Sequence, residues 1–443
     1  MSSIAKFNRD KLFSQLLPNS IAILFGDKLK YRNNDVAYTF RQNSDFLYLT
    51  GFNEPNAIAV FIKGDLALSQ DKFILFHQRL DDNYKIWNGA GVTNEQLSNL
   101  FGVDESYFTD QIDVVLPGLL SNKDLIYHPL KNNFITNKIK NWQELSLQLA
   151  KNKTTAFSKQ GVQDLSALIH QLRMIKSDLE LEKIRYVTNK SANAHKHIME
   201  YVAKHKNLTE RDIQAQFYCY CLQQGCEDMA YTPIVAAGAN ACVLHYHKNS
   251  ELLHHGDLLL IDAGAEYCGY AADITRVLPI NGKFSSRQKE IYNLVLLAQQ
   301  QAIAKIAPGE LLVNIQKNIV EVLVDGLVDL KILDGSREEL INNQAYKSFY
   351  MHNFGHFLGL DVHDVSVVDK NASQTTTGIK LEPRMVLTVE PGLYLPASLP
   401  IDPVWHDIGI RIEDDILVTV NGAENLTAAA PKEVDEIEYL MLN

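Results

Sequence analysis

The sequence predicts an α/β (α+β) protein built as two domains. Three observations carry that prediction. The first third of the 443-residue chain alternates short apolar, strand-like runs with helical patterns. The second half carries longer strand-like runs between helices. Between them, near residues 165–180, one apolar-periodic helix stops and another begins with its own capping signal. The expected domains are residues 1–172 and 173–443.

In chain order, residues 21–25, 57–62 and 73–76 read as short buried strands bounded by turn signals. This first part contains no G-x-G-x-x-G and no Walker lysine motif, so nothing marks it as a nucleotide-binding domain. Residues 166–175 form an apolar-periodic helix. Ser177 then serves as an N-cap, with Glu180 as its capping-box partner, and the helix continues through Leu181, Ile184 and Val187. Another helix starts near Thr209, with Glu210 and Asp212 in its first turn. Residues 257–261 and 270–278 read as strands on either side of a glycine-containing connection. Residues 287–306 and 311–327 read as helices, and 385–389 and 408–420 as further strands. Residues 364–379 are polar and read as a surface loop. No fixed-period repeat is present.

Composition narrows the class. Hydrophobic residues make up 46% of the chain and charged residues 21%, as in ordinary globular proteins. A net charge of −11 disfavours a nucleic-acid backbone or an anionic membrane surface as the main partner. No window approaches the ~18 continuous apolar residues of a membrane helix. The first ten residues are polar and lead into no signal-like apolar core, which reads as cytoplasmic. The cysteines Cys219, Cys221, Cys226, Cys242 and Cys268 are odd in number and lack a C-x-x-C pair. They read as reduced thiols and not as a zinc site.

The chemistry concentrates in Asp262, Asp273, His356, Glu390 and Glu413. Four carboxylates and one imidazole are a donor set for hard-to-borderline divalent cations. Asp262 ends the apolar run LLLI, and Asp273 lies in the next strand-like segment, with Gly264 and Gly269 allowing the chain to reverse. Two carboxylates set opposite each other in an apolar pair of strands repel unless a cation or proton intervenes. A turn-capping Asp with an Arg276 ion pair is the competing account. His356 belongs to a group of three histidines with His352 and His363, amid Phe354, Phe357, Leu358 and Leu360. Taken alone, each of them could be a satisfied core histidine. Glu390 ends an apolar strand before Pro391-Gly392. Glu413 follows Arg411 on the same strand face, where a surface Arg–Glu pair is equally open. Asp414 and Asp415 are expected at the strand edge or in a turn.

Several ordered strings decide among these readings: HYHKN at 245–249, DAGAEYCGYAADITR at 262–276, HNFGHFLGLDVHDV at 352–365, EPRMVLTVEPGLY at 382–394 and GIRIEDDILVT at 409–419. Together they resemble the aminopeptidase P and prolidase branch of the metallopeptidases. FRQNSDFLYLTGF at 40–52 resembles the N-terminal domain of that group, so the likeness covers nearly the whole chain. The resemblance implies a creatinase-like N-terminal α/β domain followed by a catalytic pita-bread domain. It implies two divalent cations per subunit, Mn2+ in this branch. Asp262, Asp273, His356, Glu390 and Glu413 would be their ligands, with Asp273 and Glu413 bridging. A hydroxide shared by the two ions would attack the first peptide bond. By the same resemblance, His245, His363, Glu390 and Arg411 are catalytic, and His352, Tyr394 and Trp87 contact substrate, Trp87 from a neighbouring subunit. A packed or merely exposed loop aromatic is the alternative for Trp87. The implied activity is removal of an N-terminal residue before proline, by a homodimer or homotetramer. A prolidase restricted to Xaa-Pro dipeptides is the alternative enzyme. A pita-bread peptide- or protein-binding module is the non-enzymatic alternative.

Overall fold

The computed structural model describes residues 2–65, 70–89, 91–151, 161–366 and 378–442. The chain divides into two compact units, Met1–Arg173 and Met174–Asn443. Among the described residues no helix is long and apolar enough to cross a membrane.

The first unit is built on a six-stranded mixed sheet. Its spatial order is Glu105–Phe108, Lys72–His77, Ile58–Ile62, Ser20–Phe25, Leu125–His128 and Gly161–Asp164. The three apolar runs read from the sequence are its central antiparallel strands, in register Ile23 to Val60 and Val60 to Ile74. Their alternate residues, with Leu116 and Leu120 of the helix Ile112–Leu120 and Trp142 of the helix Asn133–Lys151, make the core of this unit.

The second unit opens with the helix Asp178–Lys204. Ser177 and Glu180 form the capping box that the sequence announces. The helix Glu210–Gln223 is capped in the same way by Thr209 and Asp212. Several small antiparallel sheets follow. One joins Ile234–Ala237, Leu258–Asp262 and Thr275–Pro279; another joins Val386–Val389, Asp414–Thr419 and Gly422–Asn425; and a third pairs Gly392–Leu395 with Ile408–Arg411. Apolar faces of the helices Ser286–Lys305 and Leu312–Asp329 pack on the same large core as these strands.

Two expected strands are interrupted. The stretch read as 270–278 consists of Tyr270–Ala271 and Thr275–Pro279, with Asp273 in the gap. The strand partner of Asp262 is therefore Thr275 and not Asp273. The stretch read as 408–420 breaks between Arg411 and Asp414, with Glu413 in the gap. Gly264 lets the first crossing close up: a Cβ there would lie 1.8 Å from the Ala272 carbonyl oxygen.

Asp414 and Asp415 are fully buried, not at an edge. Asp414 accepts from Arg276 Nη2 at 2.6 Å and Lys432 Nζ at 2.6 Å. Arg276, paired in this way and not with Asp262 or Asp273, also donates to the carbonyls of Glu413 and Pro431 at 2.6 and 3.0 Å. It thereby ties the broken strand to the C-terminal segment. The polar stretch 364–379 also departs from expectation at its start. Asp364 is buried in an ion pair with Lys176, at 2.9 Å. Residues 367–377 of that stretch lie outside the described residues.

The Asp414 network has a measurable consequence. Burial alone would push this carboxyl up, but Arg276 and Lys432 outweigh it and hold it down at about 2. The folded value is depressed, so the stability it contributes is present above about pH 4 and fades as pH falls toward 2. Asp414→Asn, which leaves Arg276 buried without its counter-charge, is expected to cost about 3–5 kcal/mol. Urea denaturation at pH 7 checks this, and the variant should also show a flatter loss of stability between pH 4 and 2.

Candidate metal centre

Asp262 ends its strand. The other four predicted ligands lie between regular elements: Asp273 and Glu413 in the two strand breaks, Glu390 between Val389 and Pro391, and His356 in an irregular segment. A break frees a side chain from the strict alternation of a strand and lets it be aimed at a common point. Gly355 permits this for His356, since a Cβ there would lie 2.0 Å from the Thr388 carbonyl oxygen. The His356 N–H then donates to Thr388 Oγ1 at 3.1 Å, and its carbonyl accepts from the Thr388 N–H at 2.8 Å.

The set converges. Ligand atoms of Asp273, His356 and Glu413 lie within 4.8 Å of one another. His356 Nε2 stands 3.4 Å from Asp273 Oδ2 and 3.6 Å from Glu390 Oε1. Its Nδ1 is 3.0 Å from the Phe357 carbonyl, which can only accept. An Nδ1–H therefore donates to that carbonyl, and Nε2 is the nitrogen that faces the carboxylates. Burial opposes a charge on this ring, but Asp273 and Glu390 outweigh it and raise His356 to about 9, so a cation bound at Nε2 would displace a proton there.

Polar neighbours hold the carboxylates in place. Arg411 Nη2 donates to Asp262 Oδ2 at 2.6 Å. Thr275 Oγ1 donates to Glu413 Oε2 at 2.6 Å and accepts from Arg411 Nε at 3.1 Å. The Asp273 N–H donates to Asp415 Oδ2 at 3.1 Å. The Tyr231 hydroxyl lies 2.6 Å from Asp262 Oδ1 and 2.5 Å from Asp273 Oδ1.

These contacts test whether a cation fits. A phenol has one hydrogen, so Tyr231 donates to only one of its two carboxylate oxygens. With both acids ionised, the second contact brings two oxygens together with no hydrogen between them, and a proton or cation must relieve it. Burial pushes Glu390 up to about 7 despite His356 and Arg411, and it pushes Glu413 well above the usual carboxylate range. Asp262 is raised as well, first by burial. The site thus holds more negative charge than its own cations neutralise. Oxygen donors with one imidazole suit divalent ions of the Mg2+ to Mn2+ type.

The centre opens into a cleft of about 770 Å³. His245, His352, His363, Arg411 and Tyr231 line it together with all five predicted ligands. The ring of His363 is centred 4.2 Å from that of His356. Tyr394 is fully buried behind this wall. Its hydroxyl accepts from Arg411 Nη1 at 3.0 Å and reaches His352 Nε2 at 2.9 Å, while His352 Nδ1 meets the Asn353 carbonyl at 2.8 Å. Trp87 lies in the first unit, on the short helix Asp82–Asn88, and is 78% exposed. It is not among the residues lining the cleft, all of which belong to the second unit.

Sequence reasoning missed Tyr231, Thr275, Asp415 and His247. Tyr231 and Thr275 carry no charge at neutral pH, so a search for titratable ligands passes over them. His247, which also lines the cleft, sits in HYHKN two residues from His245, and that doublet was the available signal.

Two family models match the chain: metallopeptidase family M24 over residues 182–420, and the N-terminal domain of aminopeptidase P over residues 5–127. A Xaa-Pro aminopeptidase of Haemophilus influenzae is 39% identical over 435 residues, covering 98% of this chain and 96% of that one. The structure of the Pseudomonas aeruginosa aminopeptidase PepP superposes with a TM-score of 0.92 at 40% identity, covering 100% of this chain and 98% of that one. Aminopeptidase P from Escherichia coli with the inhibitor Pro-Leu gives a TM-score of 0.92 at 37% identity, again covering 100% and 98%.

Replacing the predicted ligand Asp273 by Ala is expected to abolish tight divalent-cation binding. Thr275→Val, which removes only the hydroxyl orienting Glu413, should weaken that binding about 10–100-fold. Titration calorimetry with a divalent cation measures both, and an unchanged affinity in Asp273→Ala would rule out this centre.

Proposed function

The chain belongs to metallopeptidase family M24, in its Xaa-Pro aminopeptidase branch, and from that membership we propose that it releases the N-terminal residue of peptides with proline in second position. The observation that carries the proposal is the convergence of the carboxylates and His356 at the floor of a histidine-lined cleft. Asp262, Asp273, His356, Glu390 and Glu413 would hold two divalent cations, with Mn2+ the proposed pair for this donor set. The chemistry those cations supply when bound is Lewis acidity toward water and toward the scissile carbonyl.

The protein's own groups do the rest. Glu390, which lines the cleft, takes the proton of the attacking water in this reading. His245 and His363 supply hydrogen bonds to the carbonyl oxygen as charge develops there, or to the departing proline nitrogen. Arg411 balances Asp262 and, through Tyr394, fixes His352, which borders the part of the cleft that receives the proline side. Proline has no amide N–H and a fixed φ, so a peptidase that grips an extended backbone N–H binds it poorly. A cleft walled by imidazoles makes no such demand.

Trp87, with its ring in solvent, is proposed to reach substrate in a neighbouring subunit of a homodimer or homotetramer. A cytoplasmic location is proposed as well, in keeping with five free cysteines.

Steady-state rates on an Xaa-Pro-Ala tripeptide and on the matching Xaa-Pro dipeptide test the reaction. The tripeptide should be cleaved efficiently after its first residue, and cleavage of dipeptides alone would make the chain a prolidase. His363→Ala should lower kcat about 100-fold while the bound metal content stays that of the parent enzyme.

A further inference from the structure

Glu210 is the first residue of its helix and is fully buried. Its carboxylate accepts five hydrogen bonds, all from neutral groups. Oε1 takes the Ala237 N–H at 2.9 Å and Asn240 Nδ2 at 2.9 Å. Oε2 takes the Tyr246 hydroxyl at 2.8 Å, the Ser250 N–H at 2.8 Å and the Glu251 N–H at 2.9 Å. The link to Glu251 runs both ways, since the Glu210 N–H donates to the Glu251 carbonyl at 2.9 Å. A carboxylate at a helix N-terminus with this many donors is a strong fixed point.

The segment it holds is the one that carries His245 and His247 into the cleft. Tyr246, between them, is tied to Glu210. Three residues on, Asn249 is almost fully buried, with Oδ1 accepting from the Val235 N–H at 3.1 Å and Nδ2 donating to the Pro233 carbonyl at 2.7 Å. Among the described residues no hydrogen bond reaches the His245 ring, whose neighbour is the His247 ring 6.2 Å away. The placement of that imidazole is therefore inherited from the backbone on either side. We infer that Glu210 is a positioning residue for the reaction, acting through the Tyr246 hydroxyl to set where His245 stands in the cleft. The inference rests on the role given to His245 above.

Glutamine cannot replace this group, because its NH₂ would face backbone N–H donors, and Glu210→Ala strands five donors and risks the fold. Tyr246→Phe removes one hydroxyl and keeps the ring, so it is the variant to use. It should lower kcat on an Xaa-Pro-Ala peptide about tenfold, less than the roughly 100-fold cost of a 1 Å misplacement. Divalent-cation affinity and melting temperature should stay near those of the parent. In a His245→Ala background the same change should alter kcat less than about twofold, because the group it positions is already gone. Equal losses in both backgrounds would show a merely structural role and overturn the inference. So would full activity of Tyr246→Phe beside an impaired His245→Ala. If His245→Ala itself kept the parental kcat, the role of His245 would fall and the positioning role with it.

Discussion

The structure of the second unit depends on keeping several carboxylates close together and away from bulk water. Ionised acids in that arrangement repel each other and lose hydration. Three of them are therefore met by donors that belong to different stretches of chain. Arg411 meets Asp262, Thr275 meets Glu413, and Tyr231 lies between Asp262 and Asp273. This explains why Asp273 and Glu413 occupy breaks in strands. A side chain inside a regular strand can point only to one face or the other. At a break it can be turned toward a common centre while the flanking strands keep their register.

Behind this layer lies a second one whose charges are balanced. Asp414 is held by Arg276 and Lys432, and Gln299 donates to it at 3.1 Å. Arg276 also grips the Glu413 carbonyl, so the structural network fixes the backbone of a predicted ligand without touching its carboxylate. The contrast between adjacent residues separates their roles. Asp414 has its counter-charges and is held at about 2. Glu413 is pushed up by burial and by Asp273, Glu390 and Asp262, which together outweigh the pull of Arg411. A buried acid that the fold neutralises maintains the fold, whereas a cluster that the fold leaves in excess is one that a bound cation would balance.

The sequence made the local features legible. Ser177 with Glu180 and Thr209 with Asp212 marked helix starts because capping is a contact between residues three apart. The five predicted ligands stood out because a carboxylate or imidazole beside an apolar run is conspicuous in a one-dimensional reading. Register was not legible. Which residue faces Asp262 across the strands depends on where the chain turns, and the close approach at Gly264 shifts the partner to Thr275. The burial of Asp414 and Asp415 was hidden for a similar reason, since their partners lie at Arg276, Lys432 and the Asp273 N–H. Periodicity carries no information about contacts of that range.

The cleft wall follows from the same electrostatic constraint. A centre that receives cations would gain little from imidazolium groups in the wall beside it, because like charges would compete with a bound metal. The Arg411–Tyr394–His352 chain settles the matter for one of these histidines. Arg411 donates to the Tyr394 hydroxyl, that hydroxyl has its proton available for His352 Nε2, and His352 Nδ1–H donates to the Asn353 carbonyl. Every donor in the chain meets an acceptor only if the ring is neutral. Burial agrees, lowering His352 to about 4, and it lowers His363 as well, with His356 adding to the effect. Neutral imidazoles can then offer hydrogen bonds to a peptide carbonyl without adding charge to the centre. The positive charge of Arg411 is kept on Asp262, where it orients a predicted ligand and holds the wall in place.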